Sequence, residues 1–227
     1  MGNIIDYLKE YSGKTFKQHP FTAVDALLLS QISYMKLENI VPADGFADLE
    51  TIAECPDADV MYTDRLYGDM YREIMGNIAG SRRYAGFEMG MFRETYSDIG
   101  EYQFAAVTIR MTDLGGAGSY FVSFRGTDER LAGWKEDLNL GYMDVIPSEK
   151  MALEYLEDLP GMLDASGEPK IRSLFAGGHS KGGALAVFAA VKAGEVLQQN
   201  ISGVYSFDGV GLGDEFYQSE GYLRIRP

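Results

Sequence analysis

The run Phe175-Ala-Gly-Gly-His-Ser-Lys-Gly-Gly-Ala184 leaves this chain few local conformations to choose from. Glycines at 177, 178, 182 and 183 bracket His179, Ser180 and Lys181. Glycine weakens helices and strands, yet it permits tight turns and close backbone approach. Ahead of the run, Ser173 to Ala176 is a short apolar strand candidate; behind it, Ala184 to Val191 is rich in helix formers. The segment therefore predicts a strand ending in a sharp turn at Ser180, and a helix from Lys181 to about Gln198. A strand that passes directly into a helix indicates α/β layering.

The rest of the chain extends that pattern. Ala23 to Leu37 places Val24, Leu27, Leu28, Ile32 and Met35 at helical spacing, with Asp25 in the first turn, which predicts a core helix. Arg65 to Met75 predicts a second helix, closed by Gly76 and Asn77. Tyr84 to Glu94 and Tyr102 to Met111 alternate as strands do, joined by the turn Thr95 to Gly100. After a turn at Gly115 to Gly118, Tyr120 to Phe124 predicts another strand. Helices are then expected over Glu129 to Leu140 and Ser148 to Leu159, and a last strand over Gly203 to Phe207. The expected architecture is one α/β domain over 1–227, a mostly parallel sheet covered by helices on both faces, with an antiparallel edge.

Composition excludes several classes of function. With 46% hydrophobic residues in 227, the chain can bury a substantial core. A formal net charge of −14 argues against nucleic acid, whose binding requires a basic surface. One cysteine, Cys55, and two histidines give no metal-ligand spacing, so no metal or cofactor is expected. No apolar run approaches the length needed to span a bilayer, and the amino terminus lacks an export signal, so a cytoplasmic protein is expected.

A Gly-x-Ser-x-Gly match is weak evidence alone in so glycine-rich a chain. Its context is stronger, because an apolar strand, flanking small residues and an immediate helix are what a nucleophile elbow requires. Ser180 is then the expected nucleophile, with the backbone N–H of Lys181 as one oxyanion donor at a helix amino terminus. The Lys181 side chain is expected to be solvated, the alternative being a part in leaving-group or acid recognition. A second oxyanion donor is expected from the loop Phe124-Arg-Gly-Thr-Asp128, where Thr127 offers both N–H and hydroxyl.

Phe124-Arg-Gly-Thr127, followed by Trp134 and Asp137 and then by Gly178-His-Ser-Lys-Gly-Gly-Ala184, resembles the class 3 lipases. The resemblance implies an α/β-hydrolase fold, gives Thr127 the oxyanion role, and makes Trp134 part of a lid; the residues alone equally allow Trp134 to be a buried aromatic on an amphipathic helix. A closer resemblance, spanning essentially the whole chain, is to a bacterial lipase-like branch of unknown function. It rests on Phe21-x3-Asp25 with Tyr34, on Gly-His-Ser-Lys-Gly-Gly, and on Ser206-Phe-Asp-Gly209. These resemblances imply a serine hydrolase that cleaves a small-molecule or lipid carboxylic ester through an acyl-enzyme.

The expected catalytic triad is incomplete. In such enzymes acid and histidine follow the serine in that order. Asp208 is the expected acid and Asp214 the second choice, although Asp-Gly is also a turn pair. No histidine follows Ser180. His179 is expected to point away from the serine hydroxyl, and His19 to lie at the surface. The domain is accordingly expected to lack its last strands and the histidine loop; a catalytically silent scaffold or truncated remnant is the alternative. An exposed sheet edge would favour a homodimer.

Overall fold

The computed structural model describes residues 2–128, 131–139, 143 and 145–226. Six strands, β1 (Phe46–Asp48), β2 (Phe87–Ser97), β3 (Tyr102–Met111), β4 (Ser119–Phe124), β5 (Ser173–His179) and β6 (Ile201–Phe207), form one sheet in the order β1-β2-β3-β4-β5-β6. Helices α1 (Ile4–Tyr11), α2 (Ala23–Ile32), α3 (Leu49–Ala53) and α4 (Gly68–Ala79) come from the first third. The short α5 (Thr112–Gly115) joins β3 to β4, while α6 (Leu131–Asn139) and α7 (Pro147–Ala165) lie between β4 and β5. Helices α8 (Lys181–Lys192) and α9 (Glu195–Gln198) link β5 to β6, and α10 (Asp214–Tyr217) and α11 (Glu220–Ile225) follow β6.

Short links make β2, β3 and β4 successive antiparallel neighbours, and helical crossovers make β4, β5 and β6 parallel, while β1 pairs antiparallel with β2 across the long segment that carries α3 and α4. The expected antiparallel edge is therefore much wider than an edge, and the sheet is mixed. Parallel pairing is confined to the part that carries Ser180.

Strand alternation divides the core into two layers. Ala105, Val107, Ile109 and Met111 of β3, with Phe121 and Phe175, face a cluster built with α1, α2 and α4. Phe104 and Ala106, with Tyr120, Val122, Phe124, Leu174 and Ala176, face the other cluster, under α7 and α8. Helices thus cover both faces, as expected. In β2 the parity breaks: Met89 joins the first cluster and Met91 the second. The register skips between Gly90 and Arg93, a bulge in which Met91 takes φ 54°. An extra residue rotates the strand and sends Met91 to the opposite face.

Several boundaries differ from expectation because tertiary contacts override local signals. Helix α2 stops at Ile32, although Met35 and Leu37 remain buried from the turn that follows. Helix α4 runs through Gly76 to Ala79, since Ile78 still reaches the core. Helix α7 passes Pro160 and ends at Ala165, drawn on by buried Leu163. The single helix expected to Gln198 breaks at Ala193 and Gly194, and the Gln198 amide turns back to donate to the carbonyls of Ala190 and Val191 at 3.0 and 2.8 Å. Carbonyls at a helix end need such partners. Glu129, Arg130 and Leu140, in the expected helix around Trp134, lie outside the described residues, as does the side chain of Asp137.

The amino-terminal helices are tied to the sheet by a buried ion pair. Arg83 Nε donates to Asp25 Oδ1 and Nη2 to Oδ2, both at 2.7 Å, and both side chains are fully buried. Arg83 also donates to the carbonyls of His19 and Pro20, while the hydroxyls of Tyr7 and Tyr84 donate to Asp25. Burial works against the Asp25 charge, but donors from Arg83, Tyr84 and Thr22 outweigh it and hold the carboxyl below its ordinary range.

Candidate functional site

Ser180 directly follows β5 and caps the amino terminus of α8 with φ 55° and ψ −130°. A residue with a Cβ pays roughly 1–3 kcal/mol to hold such a backbone, so the surroundings must enforce it. Two hydrogen bonds do so: the Ser180 N–H donates to the Phe207 carbonyl at 2.8 Å, and its carbonyl accepts from the Gly183 N–H at 2.9 Å. The sharp turn expected at Ser180 is present.

Register brings the other candidate segments to the same sheet edge. Phe124 pairs with Gly178 and Phe207 with His179, so the chain leaves β4, β5 and β6 side by side. Arg125 to Asp128, Ser180 and Asp208 therefore emerge at the carboxyl ends of the parallel strands, where open α/β sheets present ligand crevices. Packing draws the first two closer. A Cβ on Gly182 would collide with the Phe124 carbonyl and come within 2.9 Å of the Gly126 nitrogen. Only glycine lets the loop after β4 lie on the first turn of α8.

That loop is fixed from behind. Arg125 is buried and donates to Glu94 at 2.6 Å, while the Asp128 N–H faces Gln103 Oε1 at 3.4 Å. Thr127 is half-buried. Its methyl would lie 3.0 Å from a Cβ on Gly133, so α6 rests close against it.

The Lys181 side chain overturns the expectation of a solvated residue. It is 1% exposed, and its Nζ donates to Glu136 Oε2 at 2.7 Å and to the Gln103 carbonyl at 2.9 Å. The stem runs inward from the first turn of α8, and a buried ammonium requires such partners. Glu136 is fully buried in turn. Its Oε2 also accepts from the Gln103 N–H at 3.2 Å, and its Oε1 accepts from the Ser148 N–H at 3.0 Å. Burial pushes the carboxyl of nearby Glu149 upward, the Ile146 N–H opposes this, and the charge of Glu136 adds to the rise.

Trp134 is 61% exposed, which removes the buried-aromatic alternative. Leu138, one turn later, is also exposed. Asp208 takes φ 53° just past β6 and is exposed, and Asp214 is exposed in the first turn of α10. A cavity of about 610 Å³ beside Asp208 is lined by Ser206, Gly209, Val210 and Tyr217, and not by Ser180.

The rings of both histidines contact tyrosines. His179 Nδ1 lies 3.3 Å from the Tyr34 hydroxyl, which also donates to the His179 carbonyl at 3.0 Å. His19 is half-buried rather than fully at the surface, its ring stacked on Tyr11 at 4.2 Å. Glu136, Gln103 and Tyr34 were not among the expected site residues. Tyr34 entered only as the end of a motif, and Glu136, two residues after Trp134, has the pattern of any solvated helix charge.

Among the described residues no group of three or more His, Cys, Asp or Glu is placed to hold a metal, and no helix is long and apolar enough to cross a membrane. No curated protein and no solved structure matches the chain. A family model described as Mbeg1-like matches residues 78–227.

Proposed function

The chain belongs to the Mbeg1-like family, which is lipase-like, and on that premise we propose that it is an α/β-hydrolase-type serine hydrolase cleaving a carboxylic ester through an acyl-enzyme. The observation that carries this reading is the strained backbone of Ser180 at the amino terminus of α8, beside the loop that contains Thr127. In the proposed reaction Ser180 Oγ attacks the ester carbonyl, and the N–H groups of Thr127 and Lys181 receive the negative oxygen. Collapse of that intermediate releases the alcohol, which carries away the serine proton, and water then frees the acid. Asp208 is the proposed acid of the machinery, ahead of Asp214, and the exposed Trp134 on α6 is the proposed lid residue.

The ring contacts of His179 with Tyr34 and of His19 with Tyr11 favour a second reading, a catalytically silent scaffold of the same fold. A fluorophosphonate probe separates the two, because it reacts only with an activated serine. We expect the chain to be labelled and Ser180→Ala not to be. Absence of labelling in the folded parent chain leaves the scaffold reading standing.

A further inference from the structure

The described side chains of helix α6 pack in the reverse of the usual sense. Among its described residues, Glu136 is fully buried and Gly133 is buried beside Gln103 and Thr127, while Trp134 and Leu138 are 61% and 70% exposed. An amphipathic helix ordinarily docks through its apolar residues. Here the docking contacts of Glu136 are polar: its carboxylate receives Lys181 Nζ, the Gln103 N–H at the start of β3 and the Ser148 N–H at the start of α7. Lys181 is the residue after Ser180, and its side chain has Glu136 and the Gln103 carbonyl as partners. One buried pair thus joins the Trp134-bearing helix to the first residue of α8.

We propose that the Glu136–Lys181 pair is a latch that couples the docking of α6 to the position of the Lys181 backbone, making Glu136 a positioning residue for the oxyanion N–H. The coupling stands on the packing of α6; its consequence for reactivity rests on the ester-hydrolase reading. Because the pair is charged and buried, it holds only when both partners are present and aligned. Docked α6 fixes the Lys181 stem, and the fixed stem restrains the peptide whose N–H faces the carbonyl oxygen. Released α6 leaves that peptide held by the bond from the Gly183 N–H to the Ser180 carbonyl without the restraint of the Lys181 stem, and small misplacements of such a donor slow a reaction substantially. Gly133 against Thr127 places the second proposed donor under the same helix.

The test uses the full chain with Glu136→Gln, Lys181→Met and the two combined. Trp134 is the chain's one tryptophan, so its fluorescence anisotropy reports on α6 alone. Amide exchange over 131–139 gives a second measure, and the rate constant and final extent of fluorophosphonate labelling report on the serine. Glu136→Gln should speed exchange in α6 by about tenfold, lower the Trp134 anisotropy, and slow labelling about tenfold at unchanged final extent. The double variant should match the single variants rather than multiply them, as expected for residues acting through one contact. It leaves no unpaired buried charge, and so stands in if a single variant does not fold. The proposal is overturned if α6 exchange and anisotropy stay at the parent values in the folded variants. It is also overturned if labelling declines only in proportion to the folded fraction. A parent chain that never labels removes the hydrolase reading instead, and anisotropy and exchange then decide the latch by themselves.

Discussion

At Ser180 a non-glycine residue holds φ 55° through its bonds to the Phe207 carbonyl and from the Gly183 N–H, and the glycines around it let the loop after β4 lie directly on α8. Gly182 is the most demanding of them. In a helix, alanine is ordinarily preferred to glycine by about 1 kcal/mol. At 182 the preference should reverse, because the added methyl meets the Phe124 carbonyl, which belongs to a strand and cannot swing aside. Gly182→Ala is expected to lower stability by about 1–3 kcal/mol in urea titration, in keeping with overpacking. A stabilised variant would show that the loop and α8 are not in contact.

Among the elements, α7 departs furthest from its local signals. Its amino terminus is conventional, with Pro147 at the start and Glu149 accepting from the Ile146 N–H at 2.9 Å. Pro160 then sits inside the helix on the exposed face, where it removes one backbone donor. The helix survives because Leu156, Leu159 and Leu163 are buried along one side of it. Tertiary packing therefore carries a cost of the order of the proline penalty, about 3 kcal/mol. Pro160→Ala should raise the denaturation free energy by about 1–3 kcal/mol, since it restores the donor and meets no core contact. An unchanged or lowered midpoint would mean that α7 is already broken at this position.

The whole molecule depends on a knot that the site does not touch. Asp25 and Arg83 unite α2, the segment before it, and the approach to β2. Removing one partner strands a buried charge, so Arg83→Met should lose about 3–5 kcal/mol. The pH dependence follows from the depressed Asp25 carboxyl. A carboxyl whose folded value lies below its unfolded value stabilises the protein above the unfolded value, near pH 4, and loses that contribution as pH falls through the folded one. Stability measured from about pH 6 down to pH 3 should therefore drop, and the part due to Asp25 should be missing in Asp25→Asn. An equally steep fall in the variant would assign the acid sensitivity to other carboxylates.

The strand, turn and helix at Ser180 were legible in the sequence because glycine spacing and apolar runs act locally, over a few neighbouring residues. So were the alternation of β3 and the succession of strands and helices that forms layers on both faces of the sheet. The three-residue β1 and the short α10 and α11 hold too few residues to carry a detectable period. The extent of antiparallel pairing, the bulge that turns Met91 across the sheet, and the passage of α7 through Pro160 depend on partners distant in the chain. Lys181 and Glu136 show the division most plainly. Forty-five residues of sequence hide their ion pair, and each alone has the pattern of a surface charge on a helix. Local chemistry determined that a turn with a serine would form; only the three-dimensional meeting of β3, α6 and α8 decided which charges would be buried behind it.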